Sequence, residues 1–364
     1  MISYGSYPDL LGVGRVLVIK LRHHGDVLLS SPVFSSLRRA LPGAVIDAYI
    51  YRDTLPMLEG HSAIDGYCLY DRGWKALSFP RRLTHELALL QQIRTAGYDL
   101  VINLTEGDRG AIAARASGAR IRVGDRADGF KGRSYTHGVV RSRLPRHMVE
   151  QNLDALRRIG IFPAPDQRDL YFSVPDEATA RVRTLLAEAG IQPGRYIHFH
   201  PTSRWLFKCW PEERVAQLAS DLHARGHAIV VSAAPDTSEL AMLQAIQHHC
   251  PGVPLLNLGG MLSLKELGAL IADARCLVCV DSVPFHIASA LKTPVVGLFG
   301  PSSDTVWGTW GNPNARIVAQ PFSCRPCNLD GCGGGKVSDC LATLGVAQVM
   351  GAVEQVLESS HSDF

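Results

Sequence analysis

The stretch 276–301 constrains the fold more than any other, because strand, short helix and second strand follow one another there without a spacer. Cys276-Leu-Val-Cys-Val280 is an uninterrupted apolar run, the pattern of a strand covered on both faces. Asp281-Ser282 supplies a cap signal, and Pro284 falls near the first helical position, where a missing N–H costs nothing. Helical spacing continues through 285–291, and 293–299 reads as a second buried strand closed by Gly300-Pro301. Such a unit sets a helix N-terminus at the C-terminal end of a parallel strand. Its unbonded N–H groups and its dipole make that point an anion site, with phosphate the usual anion. Ser282 and His286 stand about one turn apart, so both can face it.

The same alternation runs through the rest of the chain. After a tail at 1–14, expected to be loosely held, strands are predicted at 15–21, 45–51, 66–70, 99–104 and 120–124. Between them lie a loop at 22–26 and helices at 27–40, 83–96 and 111–117; a basic, loop-like segment at 130–145 and a helix at 148–159 follow. The segment 160–176 holds three prolines and reads as a connector. Beyond it, helices at 178–189, 211–225, 238–248 and 264–274 alternate with strands at 196–200, 228–232 and 254–258, ahead of the 276–299 unit. A strand at 315–320 and a helix at 344–358 end the pattern. Alternating strands and helices imply an α/β protein with parallel sheets. The expected division is a first domain at 1–165, a second at 175–343, and a C-terminal helix and tail at 344–364. Ligands of doubly wound sheets sit beyond the carboxyl ends of the strands, so a cleft between two such domains is the expected site.

Composition limits the partners. Hydrophobic residues are 46% and charged residues 20%, as in a globular protein with sizeable cores. No apolar run approaches a membrane span, and no basic region followed by an apolar core opens the chain, so neither a transmembrane helix nor a signal peptide is expected. Nine cysteines, several in buried-strand patterns, suit a reducing compartment and hence the cytoplasm. The net charge of +3 gives no case for nucleic acid. Between Arg109 and Arg146, however, ten basic residues face two acidic ones, Asp125 and Asp128. Two readings stay open: a solvated surface, or a surface turned to an anionic partner such as a phosphorylated acceptor or an anionic membrane leaflet.

The residues able to carry chemistry lie where strands meet helices. Asp26 in the first strand–helix loop either caps the following helix or takes a proton from an acceptor hydroxyl, and position alone weighs the two equally. His23 and His24 beside it are candidate second bases or acceptor contacts, or simply solvent-facing histidines. After the strand at 196–200, Thr202 and Ser203 are placed to donate hydrogen bonds. Lys208 offers a mobile charge suited to phosphate oxygens, with an ordinary surface lysine as the alternative. Trp205 and Trp210 are expected to pack. Gly259-Gly260 permits a tight turn before Met261, and Ser263 with Glu266 reads as a capping box. No Asp-x-Asp motif is present, which points to metal-independent chemistry. Cys324, Cys327, Cys332 and Cys340 form half of a metal-site pattern: a structural zinc or free thiols are the two readings.

The 276–301 unit, the run Val16-Leu-Val-Ile-Lys20 with Gly25-Asp26-Val27-Leu28 and Pro32, the pattern Lys208-Cys-Trp-Pro211 and the segment 258–267 together resemble the lipopolysaccharide core heptosyltransferases, glycosyltransferase family 9. The resemblance is greatest to members that add a branching heptose, through Asp281-Ser282, Pro284, His286 and Cys324-Arg-Pro-Cys327. It implies a GT-B type fold, with two doubly wound Rossmann-like domains facing a cleft, the first binding the acceptor and the second ADP-heptose. It implies inverting transfer of L-glycero-D-manno-heptose from ADP-heptose to a heptose of a lipid A–inner core acceptor, with no further cofactor and with peripheral contact to the inner membrane. By the same resemblance Asp26 is the base, and Thr202, Ser203, Lys208, Asp281, Ser282, Val283 and His286 hold the donor diphosphate. Gly260 and Met261 line the nucleotide base pocket, and His23, His24, Arg120 and Arg122 are acceptor candidates. Val283 stands where the family has Gly, and its Cβ narrows the backbone approach to a phosphate. Subgroups of the family carry a similar cysteine-rich segment. Transfer of another nucleotide-activated sugar, a nucleotide-dependent oxidoreductase and a non-catalytic sugar-nucleotide-binding protein are the alternatives. Against the oxidoreductase, Gly12-x-Gly14 precedes the first strand, and no Gly-x-Gly-x-x-Gly opens a helix.

Overall fold

In the computed structural model, which describes residues 7–359, the apolar runs pair into two six-stranded sheets. The first holds β1 (Arg15–Lys20), β2 (Val45–Tyr51), β3 (Gly66–Tyr70), β4 (Leu100–Asn103), β5 (Ile121–Asp125) and β6 (His137–Val139) in the order β3-β2-β1-β4-β5-β6. Its pairings are all parallel. With it go α1 (His24–Leu28), α2 (Ser31–Ala40), α3 (Phe79–Thr95), α4 (Asp108–Ser117), α5 (Gly129–Ser134) and α6 (Met148–Arg157). Leu17 and Ile19 of β1 and Val101 of β4 pack against Leu89 and Ile93 of α3 and Ala111 and Ala114 of α4, so α3 and α4 cover one face of this sheet.

The second sheet holds β7 (Tyr196–His200), β8 (Ala228–Val231), β9 (Leu255–Asn257), β10 (Cys276–Val280), β11 (Val295–Leu298) and β12 (Ala315–Val318), again all parallel, in the order β12-β11-β10-β7-β8-β9. Its helices are α7 (Asp176–Glu188), α8 (Glu212–Ala224), α9 (Thr237–His249), α10 (Leu264–Ala272), α11 (Val283–Leu291), α12 (Asp304–Trp307), α13 (Asp339–Ala342) and α14 (Val346–Ser359). Ile197 and Phe199 face α8 and α14, whereas Tyr196 on the alternate face meets Val182 and Leu186 of α7 and Leu270 of α10. The chain divides into two compact units between Ser173 and Val174. Each winds outward from its first strand and then reverses, between β1 and β4 in one and between β7 and β10 in the other. That reversal opens a crevice at the carboxyl ends of the flanking strands, where doubly wound sheets bind ligands.

Several expectations change. Of the tail, residues 1–6 lie outside the described residues, and 7–14 are tied down. Val13 is buried, the amides of Gly14 and Arg15 donate to Asp99 Oδ2 at 2.9 and 3.0 Å, and Arg120 Nη2 donates to the Leu11 carbonyl at 2.8 Å. The helix expected at 27–40 is two helices: α1 starts earlier, at His24, and α2 restarts at Ser31 with Pro32 in its first turn. The segment 130–145 contains α5 and the edge strand β6. The terminal helix is no separate appendage, because Val349, Val353 and Val356 of α14 enter the second unit's core.

Candidate functional site

In the first unit the crevice centres on the loop after β1. Leu17–Ile19 are fully buried, which carries the chain to Lys20 at the strand's end and turns it straight into α1. Asp26 therefore lies in the first turn of that helix, where a carboxylate is favoured by the dipole. It does not cap: the cap position is His23, and the Asp26 carboxylate lies 3.6 Å from Arg22 Nε instead. Asp26 is 8% exposed and lines a pocket with Lys20, Arg22, Asn103, Glu106 and Arg141. Lys20 is buried, and its Nζ donates to the Leu104 carbonyl at 3.2 Å and to Asn152 Oδ1 at 3.0 Å. Burial pulls the Lys20 ammonium down to about 8, while the Asp26 carboxylate pushes the other way. Arg141 grips Asp125 with two hydrogen bonds, of 3.0 and 2.6 Å, and reaches Glu106 at 3.1 Å. The pocket thus pairs a carboxylate with cations held in fixed places, an arrangement able to take up a proton and to receive a polar acceptor.

Of the acceptor candidates, His24 is held beside this loop by a 2.9 Å hydrogen bond between its Nε2 and the Asp53 carbonyl, and His23 is exposed. Arg120 and Arg122 are not brought to Asp26. They stand at the amino end of β5, where Arg122 is level with Val101 and its guanidinium donates to the Ser134 and Ala119 carbonyls. Most of the basic run is likewise engaged internally: Arg109 with Glu86, Lys131 with Asp108, Arg141 with Asp125, and Arg146 with Glu150 and Asp154. Arg22 and Asn152 carry no signal in the sequence, whereas Lys20 ends the run Val16–Lys20 and Arg141 belongs to the basic stretch.

In the second unit two loops meet at the reversal between β7 and β10. Lys208, at the end of a 3-10 turn spanning Leu206–Lys208, places its Nζ 2.7 Å from Asp281 Oδ2. Asp281 is buried, and Ser282 next to it is the N-cap residue of α11. The Ser282 side chain does not cap; its hydroxyl donates to the Val280 carbonyl at 3.2 Å. Val283 opens the helix and His286 lies buried one turn in. Thr202 is buried, with its hydroxyl donating to Glu239 Oε2 at 2.6 Å, and Ser203 Oγ accepts from the Trp205 amide at 3.4 Å. A lysine, a helix N-terminus and the Ser203 hydroxyl gather at the carboxyl ends of neighbouring strands, groups of the kind that bind anions, whereas the Thr202 hydroxyl is committed to Glu239. Of the two tryptophans, Trp210 packs, donating from Nε1 to the Leu344 carbonyl, but Trp205 is 45% exposed. Gly260 takes φ +71° in the turn after β9, Met261 is 51% exposed, and the capping box between Ser263 and Glu266 is formed.

Two features of this unit escaped the sequence reading. Glu239 is buried and also accepts from the Ala234 amide. His198 and His200, alternate residues of β7, share one hydroxyl: Ser232 Oγ is 2.7 Å from His198 Nε2 and 2.8 Å from His200 Nδ1. Burial holds His200 down to about 4 and His198 well below the ordinary range, so both rings are neutral near pH 7.

The cysteine cluster is not assembled as a metal site. Among the described residues no group of three or more His, Cys, Asp or Glu side chains could hold a metal ion. Cys324 and Cys332 are exposed whereas Cys340 is buried, and burial raises the Cys340 thiol, disfavouring the thiolate that binds metal.

Comparison with known proteins adds to this geometry. Residues 86–337 match the family model described as glycosyltransferase family 9 (heptosyltransferase). The chain is 33% identical to lipopolysaccharide heptosyltransferase 3 of Escherichia coli over 93% of its own length and 98% of that protein. Among solved structures it resembles a glycosyl transferase family 9 protein of Veillonella parvula (TM-score 0.81, 23% identity, 95% of this chain and 97% of that one). It also resembles E. coli heptosyltransferase WaaC with ADP (TM-score 0.73, 21% identity, 94% of this chain and 99% of that one).

Proposed function

Because the chain belongs to glycosyltransferase family 9, the heptosyltransferases, we propose that it transfers L-glycero-D-manno-heptose from ADP-heptose onto a heptose of the lipopolysaccharide inner core. The observation that carries this reading is the 2.7 Å pair between Lys208 and Asp281 beside the N-terminus of α11. It holds a cation where a diphosphate is expected to dock, and a structural relative is known with ADP. The near-complete coverage of a heptosyltransferase 3 supports the donor and the acceptor class.

In this reading the acceptor hydroxyl gives its proton to the Asp26 carboxylate as its oxygen attacks the anomeric carbon. The bond from that carbon to the β-phosphate oxygen breaks, ADP leaves with the electron pair, and the configuration inverts. Lys208 and the α11 N-terminus, with Ser282 and His286, stabilise the charge that develops on ADP. Ser203 orients the phosphates, Thr202 holds the loop to Glu239 behind it, and Gly260 and Met261 border the base. No described helix is long and apolar enough to cross a membrane. We place the protein in the cytoplasm, meeting a lipid-anchored acceptor at the inner leaflet as a peripheral protein.

The test is direct. The purified chain is incubated with ADP-heptose and inner-core acceptor, and the acceptor is weighed by mass spectrometry. A gain of one heptose with release of ADP is expected. Turnover of a different nucleotide sugar, with ADP-heptose untouched, would move the protein to the alternative transferase reading.

A further inference from the structure

Residues 75–85, Lys-Ala-Leu-Ser-Phe-Pro-Arg-Arg-Leu-Thr-His, are exposed without interruption. They leave the 3-10 turn Arg72–Ala76 and form the opening turns of α3. Lys75, Arg81 and Arg82 alternate in this segment with Leu77, Phe79 and Leu83, and it contains no carboxylate. Phe79 is 75% exposed, Leu83 42% and Leu87 55%. At spacings of four these three form one stripe along the helix, and α3 meets the core only further on, at Leu89, Leu90 and Ile93. Scattered exposed apolar residues are ordinary, but a contiguous set marks a surface that meets something apolar.

The charges identify the partner. Lys75 and Arg81 make no ion pair with another described residue, whereas Arg82 shares Glu86 with Arg109. Docking against the same segment of a second copy would set cation on cation. An anionic lipid surface offers both complements at once, acyl chain for Phe79 and Leu83 and phosphate for Lys75 and Arg81. An open groove leads from the same helix past Glu86, Arg109 and Tyr70 to Arg22, which lies against Asp26.

We propose that residues 75–85, with Leu87, dock the protein on an anionic bilayer, Phe79 and Leu83 entering the headgroup layer while Lys75 and Arg81 pair with lipid phosphates. This deepens the reading of a lipid-anchored acceptor, and its test does not depend on transfer. Full-length protein is sedimented with vesicles of phosphatidylethanolamine and phosphatidylglycerol, and separately with vesicles of phosphatidylcholine alone. Binding to the anionic vesicles is expected, weakening steeply with salt. Phe79→Ser with Leu83→Ser lowers the partition coefficient by about tenfold or more, and Lys75→Ser with Arg81→Ser by a similar factor. Leu329→Ser, at a residue 54% exposed in the other unit, leaves it unchanged. All these positions are exposed, so unchanged thermal midpoints show that the variants fold. The proposal is overturned if wild type ignores anionic vesicles, if both double variants bind as wild type does, or if Phe79→Ser with Leu83→Ser instead dissolves a dimer seen by light scattering.

Discussion

Lys208 Nζ lies 2.7 Å from Asp281 Oδ2, so the loop after β7 is fastened to the start of α11 by residues 73 positions apart. Asp281 is buried, and it fixes the ammonium beside the helix end. Lys208→Ala removes the charge a diphosphate would meet there. ADP affinity should fall about 10- to 100-fold, the range of a charge-assisted hydrogen bond. Calorimetric titration with ADP checks this, with the urea midpoint measured alongside because Asp281 loses its partner. An unaltered ADP affinity would take Lys208 out of the donor site.

Asp26→Asn keeps the size of the side chain but not its basicity. Turnover should drop about a hundredfold to ten-thousandfold, as for loss of a general base, with ADP affinity unchanged. Single-turnover assays beside ADP titration separate the two effects. Wild-type turnover in the variant would assign the base to another residue.

Much of this architecture was legible from strand–helix alternation: 276–280 is a continuous apolar run covered on both faces as β10, and 66–70 and 196–200 coincide with β3 and β7. β6 was not, because three residues at a sheet edge, within a basic segment, make no run. α1 leaves no helical signature in the sequence, because His23 gives no side-chain cap and Gly25 weakens the helical signal. α3 begins four residues before the expected start because its first turns are exposed and carry no buried periodicity. The loops around Lys208 and Ser282 were half legible. Helix ends follow from local sequence, but the Lys208–Asp281 and Thr202–Glu239 partnerships join loops that only the strand order brings together. The position of Arg120 and Arg122 was not legible for the converse reason: a basic stretch does not say which end of the sheet its arginines occupy.

Buried neutral histidines predict an acid limit to stability. Burial holds both His61 and His200 down to about 4, and His198 well below the ordinary histidine range. The unfolded chain binds these protons near pH 6.5 and the folded chain does not. The stabilisation is therefore full above about 6.5 and is lost as pH falls toward about 4. Each of His61 and His200 contributes on the order of 3 kcal/mol across that window. Urea midpoints at pH 7 and near pH 4.5 should differ markedly, and His200→Gln should flatten the difference. Equal midpoints at the two pH values would contradict the burial argument.

Gly297 governs where α11 sits. A Cβ on this β11 residue would lie 2.4 Å from the Phe285 ring, which is fully buried and packs edge-on against Phe299 with centroids 5.3 Å apart. Gly297→Ala must therefore shift Phe285, three residues beyond the Ser282 N-cap, and with it the amides at the helix start. The expected cost is about 1–3 kcal/mol of stability from overpacking, together with weaker ADP binding. Phe285→Leu alone should also destabilise, by opening a cavity. Combined with Gly297→Ala it should cost less than the sum, because the smaller side chain admits the new methyl group. A double-mutant cycle on urea midpoints and ADP affinity reads both effects. Strict additivity, or full ADP affinity in Gly297→Ala, would mean that this contact does not set the position of the anion site.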